Sequence, residues 1–284
     1  MSSTDRGVAK TASDRHVTLR AIILAAGQGN RLMPLTADRP KCMVPLLGRP
    51  ILHYLLDSLR SAGVSDIIVV TGYQAGRLHA PGCRTVFNPA FADTNMVESL
   101  FAAVDYMEDG SDLLVSYADT IFEPRVIRAV VEQNVGDLVI ASDDSWKTLW
   151  TRRMADPLRD AESFRLDPEG RIQELGRTPQ ADSDIQGQYM GLFKIRRSRV
   201  ADLKRFYNSL NRAAEYDRRP FSQMFMTSLL QALIDAGWHA QVARTRGGWL
   251  EVDSVEDLRL YESLGQRGEL GALCRLAPDA VLRG

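Results

Sequence analysis

The stretch AIILAAGQGNRLMPLTADRPK, residues 21–41, joins a short apolar run to a loop of small residues. Residues 21–24 are all apolar, which is typical of a buried parallel strand. Residues 25–30 include two glycines, so the backbone can turn sharply and expose its N–H groups to phosphate oxygens. Arg31 and Lys41 place two cations beside this loop. A backbone cradle with two nearby cations is suited to a polyphosphate.

Two common phosphate-binding motifs do not fit this loop. A Rossmann dinucleotide loop has a third small residue three positions after its second glycine, and here that position is Leu32. A Walker loop has Gly-Lys followed by Ser or Thr, which the stretch lacks. The glycines could also serve only the geometry of a turn between a strand and a helix. Spacing alone therefore leaves phosphate binding open.

The whole chain has 284 residues, of which 45% are hydrophobic and 25% are charged, as in ordinary globular proteins. This length accommodates one large α/β domain or two small ones. The formal net charge of −1 gives no bulk attraction to nucleic acid or to an anionic membrane, so we expect neither as a partner. No apolar run approaches the roughly 18 residues of a membrane helix. The three cysteines are scattered, which predicts reduced thiols in a cytoplasmic protein without a zinc site.

Strands and helices alternate along the first half of the chain. The pattern predicts strands at 21–24, 66–71, 85–87, 112–117 and 137–141, with helices at 50–63, 96–107 and 124–133. Alternation at this spacing indicates parallel βαβ units. Residues 19–141 therefore predict an α/β fold with a doubly wound, mostly parallel sheet.

The pattern changes after residue 141. Strand-like segments at 163–166 and 171–175 flank an Asp-Pro-Glu-Gly turn and predict a hairpin, and residues 188–195 read as a further strand. We therefore expect a β-rich insertion over about residues 142–195. The remaining pattern predicts helices at 198–210 and 221–236, a strand at 238–244, and a helix from Ser254.

No linker rich in Pro, Gly or Ser divides the chain, which favours a single domain over residues 18–265. Residues 1–17 are polar, mixed in charge and without the apolar core of a signal peptide, so we expect a disordered leader. Residues 266–284 are less periodic. This C-terminal tail could be a small helical segment or a contact in a homodimer.

Two aspartates stand where a metal ion could be held. Asp119 follows the predicted strand at 112–117, and open α/β sheets bind ligands at the carboxyl ends of their strands. Glu251 and Asp253 alternate with apolar residues, so they share one face of an extended segment. Mg²⁺ prefers oxygen ligands and is usually held by one or two carboxylates plus phosphate oxygens. The aspartates could instead cap loops or helices, as Ser254 could.

The opening stretch also carries a family resemblance. The pattern Leu24-x-x-Gly27-x-Gly29-x-Arg31-x-x-Pro34-Leu35-Thr36-x-x-x-Pro40-Lys41 resembles the signature of nucleotidyltransferases of the sugar-nucleotide-pyrophosphorylase type. The resemblance implies a Rossmann-like nucleotidyltransferase fold in which the loop wraps a nucleoside triphosphate. It implies that the nucleotide contacts Leu24, Ala25, Ala26, Gly27, Gln28, Gly29 and Asn30, that Arg31 and Lys41 are catalytic, and that Asp119 and Asp253 bind Mg²⁺.

Further features resemble the choline-phosphate cytidylyltransferase branch, which includes relatives acting on phosphonates. The metal strand ends in Ala118-Asp119, whereas hexose-1-phosphate enzymes usually have Gly-Asp there. The segment 88–100 differs from the base-reading segment of the sugar enzymes, and Gly-Gly-Trp-x-Glu-Val-Asp at 247–253 completes the pattern. This resemblance covers roughly residues 19–264 and implies CTP as the nucleotide.

Within that branch, the resemblance implies that Asn88, Asn95 and Ser99 line the nucleotide pocket. Amide and hydroxyl groups can satisfy the exocyclic amine and carbonyl of cytosine. Thr94 or Asn95 could instead cap the following helix. Tyr73, just after a strand, could pack on the base or be an ordinary surface tyrosine.

The acceptor pocket has aromatic candidates. Trp146 and Trp150 are four residues apart, and aromatic faces bind quaternary ammonium groups by cation–π attraction. A choline group would suit them, together with Tyr189. Two tryptophans at this spacing could equally form a stripe that faces the protein core.

The charged residues of the predicted insertion favour two different kinds of acceptor. Arg152 and Arg153 favour an anionic acceptor, whereas the aspartates at 143–144 favour an amine. Lys194 resembles a second phosphate-side lysine of related enzymes, or is a solvated lysine at a strand end. Glu251 is a further candidate, for the acceptor or as a third metal ligand.

The expected reaction joins CMP from CTP to a phosphomonoester or phosphonate and releases pyrophosphate. The acceptor oxygen is already anionic near neutral pH, so no general base is required, and the chain has only four histidines. Choline phosphate, aminoethylphosphonate, hydroxyalkylphosphonates and phosphonocarboxylates all remain open as acceptors. A hexose-1-phosphate nucleotidyltransferase and a catalytically silent nucleotide-binding protein are the alternatives.

Overall fold

The computed structural model describes residues 19–108 and 110–276. Its strands are β1 (Leu19–Ala25), β2 (Pro45–Leu46), β3 (Arg49–Pro50), β4 (Asp66–Thr71), β5 (Arg84–Phe87), β6 (Asp112–Tyr117), β7 (Thr120–Phe122), β8 (Leu138–Asp143), β9 (Phe164–Leu166), β10 (Ile172–Leu175), β11 (Gln188–Ile195), β12 (Glu215–Tyr216), β13 (Arg219–Pro220), β14 (Ala240–Thr245) and β15 (Trp249–Glu251). Its α-helices are α1 (Ile51–Ser61), α2 (Met96–Ala102), α3 (Pro124–Val131), α4 (Lys147–Arg153), α5 (Val200–Ser209), α6 (Met226–Asp235) and α7 (Val255–Gln266).

Seven of these strands form a central sheet in the order β14, β8, β11, β6, β1, β4 and β5. Strand β11 runs antiparallel to both of its neighbours, and every other neighbouring pair is parallel. The chain leaves β1 toward β4 on one side and later returns to place β6 on the other. Strands β1 and β6 therefore flank the point where the winding direction changes, which is where such sheets bind ligands.

Both faces of the sheet are covered, and this explains the continuous apolar run in β1. Ile23 and Leu55 belong to the apolar layer that contains α1, α3 and α7, whereas Ile22 and Leu100 belong to the layer that contains α2, α5 and α6. Alternate residues of β1 thus enter opposite layers. The predicted doubly wound, mostly parallel α/β sheet is confirmed.

The predicted β-rich insertion at 142–195 differs from the structure at both ends. Strand β8 continues to Asp143, and β11 lies inside the central sheet between β8 and β6, with every residue buried. The part that projects from the sheet is residues 144–187. It contains helix α4 and the β9–β10 hairpin, so it is a mixed segment and not a mainly β one.

Several predicted boundaries also shift. Helix α2 ends at Ala102 and is followed by a short 3-10 turn at Val104–Tyr106, whereas the sequence predicts one helix to residue 107. Helix α6 begins at Met226, because the preceding Phe221–Gln223 forms a separate 3-10 turn. The backbone N–H of Asn95 donates to the carbonyl of Ser222 and ties that turn to the start of α2.

The last described residues, up to residue 276, pack on the body of the domain. Helix α7 starts with a capping box between Ser254 and Asp257 and is followed by the buried side chains of Leu270, Leu273 and Cys274. The part of the predicted tail up to residue 276 therefore belongs to the core. The predicted leader (1–17) and residues 277–284 lie outside the described residues. Within the described residues no helix is both long enough and apolar enough to cross a membrane.

Candidate active site

A cleft of about 360 Å³ lies at the carboxyl ends of β1 and β6. We call it the lysine cleft. Its walls come from the loop after β1, from Lys41, from the start of α2, and from the ends of β6 and β15. The predicted site residues that line it are Leu24, Ala25, Gly27, Gly29, Asn30, Arg31, Lys41, Asn95, Asp119 and Asp253.

Gly29 is required where the loop meets Lys41. Its φ angle is +71°, and a Cβ placed there would lie 2.7 Å from the Cβ of Lys41. The Gly29 carbonyl accepts a hydrogen bond from the hydroxyl of Thr36, at 3.1 Å. The Tyr73 hydroxyl donates to the carbonyls of Thr36 and Ala37, at 3.0 and 3.1 Å. These contacts fasten the loop in place.

Lys41 joins the two predicted metal carboxylates. Its ammonium lies 2.7 Å from Oδ2 of Asp119 and 2.5 Å from Oδ1 of Asp253. Arg31 pairs with the other carboxylate oxygen of Asp253. Burial by itself would lower the pKa of Lys41, but the two carboxylates outweigh it and hold that pKa above its ordinary value. Lys41 is therefore a fixed positive charge at the mouth of the loop.

Backbone pairing brings Asp119 and Asp253 together from distant parts of the sequence. Strands β7 and β15 pair antiparallel, and the N–H of Val252 donates to the carbonyl of Asp119 at 3.0 Å. Oδ1 of Asp119 is buried and has no hydrogen-bond partner among the described residues. An orphaned carboxylate oxygen beside a second carboxylate fits a hard cation such as Mg²⁺.

The described residues contain no group of three or more His, Cys, Asp or Glu side chains able to hold a metal ion. The donor set fits Mg²⁺ only if phosphate oxygens and water supply the other ligands, as is usual for this ion.

Arg153 connects the neighbouring carboxylates behind the cleft, and its side chain is only 3% exposed. It donates to both carboxylate oxygens of Asp257, at 2.8 and 3.1 Å, and to Oε2 of Glu251, at 2.7 Å. Asp257 in turn accepts from the backbone N–H groups of Asp253 and Ser254, both at 3.0 Å. Burial would raise the pKa of Asp257, but Arg153 and these N–H donors hold it below its usual range. Arg153 therefore positions Asp253 through Asp257.

A second cavity, of about 220 Å³, adjoins the lysine cleft. We call it the carboxylate cavity. The two share Arg31, Met96, Tyr117 and Asp253 as lining residues. Of the predicted acceptor residues, it contains Trp150, Tyr189 and Glu251, and it adds Asp160, Glu162 and Gln188.

Residues 21–180 of the chain match the family model described as the MobA-like NTP transferase domain, which is more than half of the chain. The chain belongs to the MobA-like NTP transferase family. This assignment confirms the resemblance that the sequence signature carries.

Individual relatives agree with it. The chain is 39% identical over 251 residues to CTP:phosphoglutamine cytidylyltransferase of Campylobacter jejuni subsp. jejuni serotype O:2, covering 85% of this chain and 98% of the relative. It is 35% identical over 143 residues to 2-aminoethylphosphonate cytidylyltransferase of Lancefieldella rimae, covering 45% of this chain and 58% of that one. The solved structure of CTP:phosphocholine cytidylyltransferase from Streptococcus pneumoniae aligns with a TM-score of 0.64 at 21% identity, covering 87% of this chain and 99% of that one. The structural likeness supports the fold.

Some residues predicted for the nucleotide pocket of this nucleotidyltransferase have other contacts. Asn88 is buried, and its amide donates to the hydroxyls of Thr94 and Ser99, at 3.2 and 3.1 Å. Asn88 and Ser99 thus hold a packed loop and do not line the lysine cleft. Asn95 does line it, and it also caps α2 by accepting from the N–H of Met96 at 2.8 Å.

Three other residues predicted to contact the nucleotide also lie outside the cleft. The carbonyl of Ala26 accepts from the N–H of Tyr73, at 3.0 Å, and Gln28 is exposed. The Tyr73 hydroxyl is committed to the loop carbonyls described above. None of these three residues lines the lysine cleft.

The predicted acceptor residues need larger corrections. Lys194 is fully buried at the opposite end of the sheet, where its ammonium donates to the carbonyls of Val131 and Gln133, at 2.6 and 2.8 Å. It is a structural residue. Trp146 packs edge-on against Trp150 in the core and is 3% exposed, as the core-stripe alternative predicts.

Arg152 is exposed on α4 and lines neither cavity. Arg153 contacts Asp257 and Glu251, so it supports the site from behind and does not itself line the carboxylate cavity.

Sequence reasoning missed four residues of the site. Asp257 could have been found, because Ser254-x-x-Asp257 is a capping-box pattern directly after the predicted metal aspartate. Asp160, Glu162 and Gln188 had no such signal. They reach the carboxylate cavity from irregular segments and from the first residue of β11.

Proposed function

We propose that this chain transfers CMP from CTP to a small phosphomonoester or phosphonate, with release of pyrophosphate and with Mg²⁺ as cofactor. The observation that carries the proposal is the convergence of Arg31, Lys41, Asp119 and Asp253 on the glycine loop in one cleft. The cytidylyltransferase names of two relatives support CTP as the nucleotide. Both names also specify a phosphorylated or phosphonate acceptor.

In this reaction an anionic oxygen of the acceptor attacks the α-phosphorus of CTP. A new P–O bond forms, the bond from the α-phosphorus to the oxygen bridging to the β-phosphorus breaks, and its electron pair leaves with pyrophosphate. The acceptor oxygen carries no proton near neutral pH, so no side chain has to remove one. Catalysis then depends on alignment and on neutralising the charge of the two anions.

The chain's own residues supply most of this charge neutralisation. Lys41 lines the lysine cleft and pairs with Asp253, which also lines the carboxylate cavity, so its ammonium can contact both the α-phosphate and the acceptor. Arg31 lines both cavities and can contact the acceptor phosphonate or the leaving phosphates. Asp119 and Asp253 would hold Mg²⁺, which neutralises negative charge on the triphosphate when it is bound.

The direct test is a panel of the four ribonucleoside triphosphates against phosphocholine, phosphoethanolamine, 2-aminoethylphosphonate and glucose 1-phosphate, scored by pyrophosphate release with and without Mg²⁺. We expect turnover with CTP, with at least one of the first three acceptors, and only with a divalent cation. Asp119→Asn should lose this turnover, whereas the exposed Arg152→Ala should retain it.

Other outcomes would overturn the proposal in recognisable ways. Turnover of glucose 1-phosphate with another nucleotide would make the chain a sugar-phosphate enzyme. Nucleotide binding without turnover of any acceptor would favour a silent nucleotide-binding protein.

A further inference from the structure

The carboxylate cavity is built for positive charge. Asp160, Glu162 and Glu251 all line it, and Arg31 is the lone guanidinium among the lining residues of the described chain. Arg31 is already paired with Asp253, at the edge toward the lysine cleft. Arg153 neutralises part of the charge on Glu251 from behind. Asp160 and Glu162 form no ion pair with the described residues.

Two other lining side chains point to a ligand independently of the carboxylates. Gln188 is 5% exposed and Trp150 is 2% exposed, and both line the cavity. Oε1 of Gln188 and Nε1 of Trp150 have no hydrogen-bond partner among the described residues. Buried polar atoms are normally paired, so a ligand group that donates a hydrogen bond is the natural partner for Oε1 of Gln188, and one that accepts is the natural partner for Nε1 of Trp150.

The faces of the tryptophan rings are already in use. The guanidinium of Arg153 lies 4.9 Å above the Trp150 ring, and the Trp249 ring packs against Trp150 at 5.5 Å. Trp249 in turn stacks on Phe122. An aromatic cage for a quaternary ammonium needs free ring faces, and these contacts occupy faces of Trp150 and Trp249.

We propose that the carboxylate cavity binds a primary ammonium group on the acceptor, with Glu162 as its principal ion-pair partner and Gln188 as a hydrogen-bond acceptor. The inference rests on the proposed function and specifies its substrate class as compact aminoalkyl phosphonates or phosphate esters. A primary ammonium has N–H donors for Glu162, Asp160 and Gln188, whereas a trimethylammonium group has none. The volume of about 220 Å³ suits a short chain.

The electrostatics of Glu162 agree with this geometry. Burial, together with the charges of Glu251, Asp160 and Asp217, raises its pKa to about 7. A cation beside such a carboxyl strongly stabilises its ionised form, because the added positive charge offsets both the burial and the repulsion.

The test compares acceptors that differ only in the group at the end of the molecule away from the phosphonate. With CTP and Mg²⁺, we expect kcat/KM for 2-aminoethylphosphonate to exceed that for propylphosphonate, its methyl isostere, by about 100-fold. Phosphoethanolamine should likewise exceed phosphocholine. Glu162→Gln should remove most of the preference for the amine, measured as the ratio of the two kcat/KM values. Glu169→Gln, in the exposed hairpin turn, is the matched control.

Equal turnover of propylphosphonate and 2-aminoethylphosphonate, or a preference for phosphocholine, would overturn the inference and leave the proposed function intact. Absence of CTP turnover with every acceptor would count against the proposed function instead. In that case calorimetric binding of the same two phosphonates, in the presence of α,β-methylene-CTP, still decides the inference. Tighter binding of the amine supports it, and equal or absent binding overturns it.

Discussion

The lysine cleft and the carboxylate cavity share lining residues but differ in the charged side chains that they present. The cleft places Arg31 and Lys41 beside a glycine loop, so its cations face the position proposed for the triphosphate. In the cavity, Asp160 and Glu162 form no ion pair with the described residues, so a cation of the ligand can pair with them. Under the two proposals, the triphosphate of CTP binds in the lysine cleft and the ammonium group of the acceptor binds in the carboxylate cavity.

The largest effect should follow from removing the central cation of the cleft. We expect Lys41→Ala to lower the rate of pyrophosphate release by about 10²–10³-fold, because a preorganised charge at the reacting phosphates is lost. Asp119 and Asp253 also lose the cation between them. In the absence of Mg²⁺ the variant should therefore unfold at a lower temperature than the native chain, and Mg²⁺ should raise its Tm by more than it raises the native Tm.

Calorimetric scans of both proteins, with and without Mg²⁺, check the second part independently of activity. An equal rise in Tm for the two proteins would show that Mg²⁺ does not bind where the Lys41 ammonium lies, between Asp119 and Asp253.

The two regions also differ in how far the sequence predicts them. The cleft follows from residues 21–41 and from aspartates at strand ends, because loops between parallel strands and helices converge at one edge of a sheet. The cavity draws Trp150, Glu162 and Gln188 from separate segments with no shared period. Polar side chains from irregular segments become neighbours only through tertiary packing, which is why the sequence predicts Lys194 for the acceptor and gives no signal for Glu162.

The next largest effect tests the link between the two regions. Arg153→Lys keeps the charge, but one ammonium cannot reproduce the bidentate contact to Asp257 together with the contact to Glu251. Residues that orient a metal ligand typically contribute 10–100-fold to metal affinity, so the Mg²⁺ concentration for half-maximal activity should rise about tenfold or more. The KM for CTP should change little, because Arg153 does not line the cleft.

Arg152→Lys is the matched control for that titration, since its side chain is exposed on the same helix. An unchanged Mg²⁺ requirement in Arg153→Lys would mean that Asp253 is positioned without Asp257.

A smaller effect is expected on the pH dependence of the preference for the amine, which tests the carboxylate cavity alone. Glu162 must be ionised to pair with an ammonium group, and its pKa is raised to about 7 by burial and by the neighbouring Glu251, Asp160 and Asp217. The ratio of kcat/KM for 2-aminoethylphosphonate to that for propylphosphonate should therefore fall about fivefold from pH 7 to pH 6. The ammonium group also lowers the pKa of the phosphonate to which it is attached, so the two acceptors ionise differently, and the same ratio measured in Glu162→Gln supplies the baseline. The fall of about fivefold is expected relative to that baseline, and an identical pH dependence in the two proteins would assign it to another group.

The smallest effect on activity should come from Asn88, which the fold separates from the cleft. Asn88→Ala leaves the hydroxyls of Thr94 and Ser99 without their amide donor, so the free energy of unfolding should fall by about 1–3 kcal/mol. Its KM for CTP should stay within about twofold of the native value. Asn95→Ala is the matched comparison, because Asn95 caps α2 and also lines the cleft. It should cost about 1 kcal/mol of stability and raise the KM for CTP as well. A larger KM change in Asn88→Ala than in Asn95→Ala would place the base nearer to Asn88 and would move the boundary of the nucleotide site out of the cleft.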